Sequence, residues 1–144
     1  LIIIPAVLFF ADRHALESVD YPLLFTFVFF FIFAGNMARM DAVRNFFSAL
    51  LSKNTLLFSA LSCQCISNVP SAILLSQFTG NYADLLVGVN IGGVGTLIAS
   101  LASLISFKFC AREYPGQMGR FFRIFTVWNL LFLAVLTGVA VLLT

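Results

Sequence analysis

The sequence predicts an all-α, polytopic membrane protein in which transmembrane helices accompany a re-entrant helical hairpin and a broken helix. Three observations predict it. Hydrophobic residues make up 61% of the 144 residues and charged residues only 10%, with a mean hydropathy of +1.05. Uncharged runs recur at lengths that match a hydrocarbon layer. Two of those runs are interrupted in their middles by residues that break helices. An ordinary soluble domain is about a quarter charged, so this composition excludes a soluble enzyme, a nucleic-acid binder and a disordered segment. The net charge of +2 gives no sign of phosphate-backbone binding. Cys63, Cys65 and Cys110 form no paired framework.

Taken in order, residues 1–10 (LIIIPAVLFF) are apolar but supply half of the roughly 20 residues a crossing needs. They lack the basic start of a secretory signal. They read as the trailing end of a truncated transmembrane helix. Residues 21–38 carry no charge and predict a full transmembrane helix. In residues 41–52, Val43, Phe46, Phe47, Leu50 and Leu51 recur at helical spacing, with Asp41, Arg44, Asn45 and Ser48 opposite. That pattern predicts a short amphipathic helix lying in the membrane interface. Residues 121–144 predict a last transmembrane helix, uncharged from position 124 onward.

Residues 54–83 form a 30-residue uncharged run, about 45 Å long as one straight helix and too long for a simple crossing. At its centre stands Ser67-Asn68-Val69-Pro70. Pro70 lacks a backbone donor and disfavours helix at Val69. A helix entering from Asn54 should stop near Ile66, and a second can start at Pro70 with Ser or Asn as its cap. Each arm would then be about 20 Å long, enough to reach the bilayer middle and return. This predicts a re-entrant hairpin with SNVP at the tip. One kinked spanning helix fits the periodicity equally. Lys and Arg counts place Lys108, Arg112, Arg120 and Arg123 in the cytoplasm. With a hairpin, Arg39, Arg44 and Lys53 then lie outside, against that rule.

Residues 85–107 are long enough to span yet carry Gly88, Asn90, Gly92, Gly93, Gly95, Thr96 and Ser100. Glycine costs a helix roughly 1 kcal/mol relative to alanine. The portion from Asn90 to Thr96 predicts an unwound segment, with a fresh helix starting near Thr96. Gly88, Gly92, Thr96 and Ser100 also form a four-residue stripe of small residues suited to close helix packing. Both readings stand on this stretch alone. Two interrupted hydrophobic segments together point to a transporter site near the bilayer midplane.

The chemistry of such breaks is specific. A helix beginning within the membrane aims unpaired N–H groups and a positive dipole end at an anion. Ser67, Asn68, Asn90, Thr96 and Ser100, with freed carbonyls, offer neutral oxygens suited to sodium. No acidic, basic or histidine side chain lies within the uncharged runs, so sodium coupling fits these segments better than proton coupling. Cys63 and Cys65, two residues apart on a helix, point in different directions and read as packing residues rather than metalloid ligands. His14 has no second ligand at metal spacing and reads as a loop residue. Asn36 reads as a helix-end cap. No nucleophile pairs with a histidine, which argues against an enzyme.

With these residues in place, SNVPSAILL followed by GVNIGGVGTLIASLASLISFKF resembles the ion-transporter superfamily of citrate-transporter-like permeases. That superfamily includes divalent-anion/sodium symporters, arsenite permeases and some sodium/proton antiporters. The resemblance covers most of the chain, best over residues 56–108. It implies the C-terminal half of an inverted-repeat transporter, often a homodimer with elevator-type transport, whose N-terminal half is absent from this chain. It implies a secondary active permease for a small citrate- or dicarboxylate-like anion, coupled to sodium or a proton, in the cell (inner or plasma) membrane. No cofactor is implied beyond sodium as the coupling ion. The symporters' Ser-Asn-Thr tip motif contacts substrate carboxylate and frames a sodium site. Ser67 and Asn68 match it, while Val69 stands where threonine is expected. By resemblance the substrate site is Ser67, Asn68, Val69 and Pro70, and the cation site adds Asn90, Gly92, Gly93, Thr96 and Ser100. Metalloid efflux and sodium/proton exchange are the superfamily alternatives. A membrane subunit using its glycine stripe only for packing is the alternative outside it.

Overall fold

The structure is a computed structural model that describes residues 21–143. The apolar run 1–10 and His14 lie outside the described residues. All regular structure among the described residues is helical. The chain divides between Phe30 and Phe31 into two compact units. In the first, the described residues are the start of helix α1, Tyr21–Met37. In the second, α1 ends in a turn where Arg39 N–H donates to Asn36 O (3.1 Å). Asn36 therefore contributes its carbonyl to the helix end. Beyond this turn the chain enters α2, Asp41–Leu51. The amphipathic pattern is realised one-sidedly: Leu51 is buried, Phe47 half-buried and Phe46 exposed.

Helix α3, Thr55–Ile66, starts where Asn54 Oδ1 accepts from Leu57 N–H (2.8 Å). It stops at Ser67, whose φ of 72° is the one positive value at a non-glycine among the described residues. Helix α4, Asn68–Leu75, follows at once. It begins two residues earlier than Pro70. The reason is that Pro70 sits within the first turn, where the backbone N–H groups have no intrahelical partner and a missing donor costs nothing. Val69 is accordingly helical, despite the steric bias of a residue before proline.

The chain then comes back to where α3 began. Ser48 Oγ donates to Phe78 O (3.2 Å), and the Phe47 and Phe78 rings stack at 5.0 Å. Lys53, Asn54 and Thr55 line one cleft with Phe78, Thr79, Gly80 and Asn81. Residues 54–81 thus run out and return, rather than forming one extended rod.

Helix α5, Tyr82–Gly92, is capped by Asn81, whose Oδ1 accepts from Asp84 N–H (3.2 Å). Asp84 in the first turn also complements the helix dipole. Helix α5 lies against α3 at very short range. A Cβ at Gly88 would meet Leu56 O at 2.5 Å, and one at Gly92 would meet Ala60 O at 2.7 Å. Only glycine permits that approach. The small-residue stripe is therefore used for packing at Gly88 and Gly92. Buried Leu56, Ala60, Cys63, Leu75, Leu85, Val89 and Ala99 form the core around this contact.

The break after α5 runs from Gly93 to Ser100. It contains a short 3-10 turn, Leu97–Ala99. The next helix, α6, is Leu101–Glu113. It begins five residues beyond Thr96, because Ser100 Oγ caps it by accepting from Ser103 N–H (3.2 Å). A 3-10 turn at Pro115–Gln117 leads to α7, Met118–Leu143. The unbroken stretch Pro115–Leu143 is, among the described residues, the one helix long and apolar enough by itself to cross a membrane. Many of its large side chains, including Val127, Trp128, Phe132 and Val135, are exposed, while Phe121, Phe125 and Leu133 are half-buried.

Candidate functional site

The two interruptions, 26 residues apart between Ser67 and Gly93, meet in space. Ser67 Oγ donates to Ala99 O (3.3 Å), inside the second break. The side chain of Asn68 lies against Gly93, where an added Cβ would come within 2.9 Å of Asn68 Nδ2. Asn68 Oδ1 accepts from Val69 N–H (2.9 Å), which satisfies one orphan donor of α4. Ser67 combines φ 72° with ψ 157°, a conformation that costs a non-glycine residue on the order of 1–3 kcal/mol. Its hydroxyl bond to Ala99 O is part of what holds it there.

The remaining candidates are distributed as follows. Val69 is 46% exposed at the tip and brings no polar atom. Pro70 is half-buried beside it. Asn90 is still helical and exposed, and its Nδ2 donates back to Leu86 O (2.7 Å). It therefore stands outside the break that was expected to begin with it. Gly92 is buried, and its carbonyl already accepts a hydrogen bond from Gln64 Nε2 (2.7 Å). Thr96 does lie in the break, with its N–H and hydroxyl both turned to Gln64. Ser100 is occupied as the cap of α6 and by the hydroxyl of Ser103 (3.0 Å). The carbonyls of Gly93 and Gly95 receive no hydrogen bond among the described residues. The structure thus brings Ser67 to Ala99 and Asn68 to Gly93, while Gly95 and Thr96 lie on Gln64.

Two residues of this site carry no warning in a motif. Gln64 makes polar contacts to Ala60, Gly92, Val94 and Thr96. Its signal is a long amide in an uncharged helix, three residues before a break. Ser71, four residues beyond Ser67, is fully buried, and its Oγ has no hydrogen-bond partner among the described residues. Cys63 is buried and Cys65 exposed, so the two thiols occupy different faces of α3. No group of three metal-binding side chains occurs among the described residues.

A helical chain with an apolar helix of membrane length and two helix breaks packed on each other has the build of a membrane protein. The sequence comparisons agree. Over 123 residues, 85% of this chain, it is 36% identical to the uncharacterized transporter MJ0456 of Methanocaldococcus jannaschii, of which it covers 34%. Over 111 residues, 75% of this chain, it is 35% identical to the inner membrane protein YbiR of Escherichia coli, of which it covers 30%. The chain is similar to both proteins and spans about a third of their length. No family model matches the sequence, and no solved structure matches it.

Proposed function

We propose that the protein to which this chain belongs is a secondary active transporter of a small citrate- or dicarboxylate-like anion, driven by sodium. The chain supplies one wall of the translocation site. The observation that carries this reading is the meeting of two separate helix breaks, with Ser67 on Ala99 O and Asn68 against Gly93. Residues 54–83 act as the re-entrant hairpin and residues 85–107 as the broken crossing. Irregular backbone at membrane depth is tolerated where it lines a protein-covered or watery cavity.

In this reading the start of α4 and the Asn68 amide face the substrate carboxylate, where the helix dipole favours negative charge. The hydroxyl of Ser67, the amide oxygen of Asn68 and the free carbonyls of Gly93 and Gly95 take sodium. Bringing cation and anion together offsets their charges in a medium of low dielectric. The part of the protein outside this chain forms the opposite wall, and movement of the site against it gives alternating access.

The test uses the full-length protein in sealed proteoliposomes. Uptake of labelled citrate and succinate is followed under an inward sodium gradient and under potassium. Sodium-dependent uptake is expected, reduced at least tenfold by Asn68→Ala in protein that still folds. Uptake indifferent to sodium, or unchanged by the substitution, would overturn the assignment. The hydroxyl missing at Val69 favours metalloid efflux or sodium/proton exchange as the second reading. Arsenite and proton fluxes in the same liposomes separate it from the first.

A further inference from the structure

In an unbroken helix through residues 88–100, the N–H of Thr96 would donate to the carbonyl of Gly92, four residues earlier. In the structure that bond is replaced by a side chain from another helix. Gln64 Nε2 donates to Gly92 O (2.7 Å), and Gln64 Oε1 accepts from Thr96 N–H (2.9 Å). The carboxamide has the same donor and acceptor chemistry as a peptide unit. It sits between the two ends of the missing helical bond and satisfies both. Its Nε2 is also shared with Val94 O (3.3 Å) and Ala60 O (3.1 Å). The Thr96 hydroxyl closes the arrangement by donating to Gln64 O (3.2 Å).

The backbone is shaped to admit this amide. Gly95 has φ 133°, a conformation L side chains rarely adopt. A Cβ at Gly95 would collide with Gln64 Oε1. A side chain inserted into the hydrogen-bond ladder is one of the recognised causes of a helix interruption. Glycines alone only weaken a helix, as the helical Gly88 and Gly92 of this chain illustrate.

We propose that Gln64 is the positioning residue of the site. Its carboxamide splits the Gly92–Thr96 helical bond, holds the break open and ties it to the hairpin. The Gly93 and Gly95 carbonyls are thereby kept free of helical bonding. The consequence for sodium affinity rests on the function proposed above, whereas the effect on the backbone does not.

The experiment uses the full-length protein and two variants. Gln64→Leu keeps approximate size but removes every hydrogen bond. Gln64→Glu keeps the acceptor for Thr96 N–H, yet donates to Gly92 O only when protonated. Hydrogen exchange of the backbone amides in residues 93–97 is measured first. Gln64→Leu is expected to change exchange there at least tenfold, and exchange like that of the wild type would overturn the proposal. Gln64→Glu is expected to approach wild-type exchange at pH 5 and to depart from it at pH 8, with no such dependence at fixed intrinsic rate in the wild type. A Gln64→Glu protein that departs from wild-type exchange as far at pH 5 as at pH 8 would also overturn it. Where Gln64→Leu does not fold, Gln64→Glu alone decides. Sodium is then titrated against the thermal unfolding midpoint, with potassium as control. The Gln64→Leu variant, which adds no charge beside the site, should bind sodium at least tenfold more weakly than the wild type. A wild-type protein that ignores sodium would remove the functional reading, and the exchange data would still decide the role of Gln64.

Discussion

Replacing Gly92 by alanine sets helix propensity against close packing. Gly92 is the last residue of α5, and alanine there would favour the helix by up to about 1 kcal/mol. The added Cβ would meet Ala60 O at 2.7 Å, Ala60 Cα at 2.8 Å and Cys63 Cβ at 2.9 Å. Two of these atoms belong to the backbone of α3 and cannot rotate aside. Ordinary contact begins at 3.4 Å, so α3 and α5 must separate by about 0.7 Å. The same movement lengthens the 2.7 Å bond from Gln64 Nε2 to Gly92 O beyond good hydrogen-bonding range. Overpacking costs about 1–3 kcal/mol, and the weakened hydrogen bond adds about 1 kcal/mol. The clash outweighs the propensity gain, and net destabilisation of about 1–3 kcal/mol follows. Gly138 is the control, because nothing lies within 4 Å of the Cβ it lacks. Gly138→Ala should raise stability by up to about 1 kcal/mol. Thermal and denaturant unfolding of the full-length protein in one detergent measures both. If Gly92→Ala were as stable as Gly138→Ala, the close approach of α3 and α5 would be wrong, and the geometry of Gln64 with it.

Two further substitutions test the hairpin. Asn54→Ala removes the side chain that accepts from Leu57 N–H at 2.8 Å, and should cost about 1 kcal/mol in the same unfolding assay; no loss would show that α3 does not start there. Ser71→Ala removes a buried hydroxyl that has no partner, so stability should stay level or rise by up to about 1 kcal/mol; a clear loss would mean that the hydroxyl is bonded in the full-length protein.

The sequence revealed those breaks whose cause is local. The end of α3 at Ile66 and the turn at Ser67 follow from the chemistry of a few adjacent residues, Pro70 above all. The second break was legible as a region, through its glycines, but not in its limits. Gly88 and Gly92 remain helical, because the absence of a side chain lets α3 come within contact of their backbone. Asn90 bonds to its own helix at Leu86 O. Ser100, rather than Thr96, caps the following helix. Gln64 was hidden for a different reason. Its partners lie 28–32 residues away in the chain, and no periodicity or short motif encodes a pairing over that distance.

The hairpin is fastened at both ends, which bears on how a site built on it would move. At the base, Phe47 stacks on Phe78, Ser48 Oγ donates to Phe78 O, and Thr55 Oγ1 donates to Leu51 O (2.9 Å). At the tip, Ser67 is bonded to Ala99 O and Gln64 to both sides of the second break. Lifting the tip alone would separate all of the tip bonds together. Each buried donor or acceptor left unpaired would cost about 1–3 kcal/mol. Moving α2, the hairpin, α5 and the break as far as Ser100 as one body breaks none of them. For the transport cycle proposed above, this ordering of costs favours displacement of the whole unit over a flap-like opening of its tip.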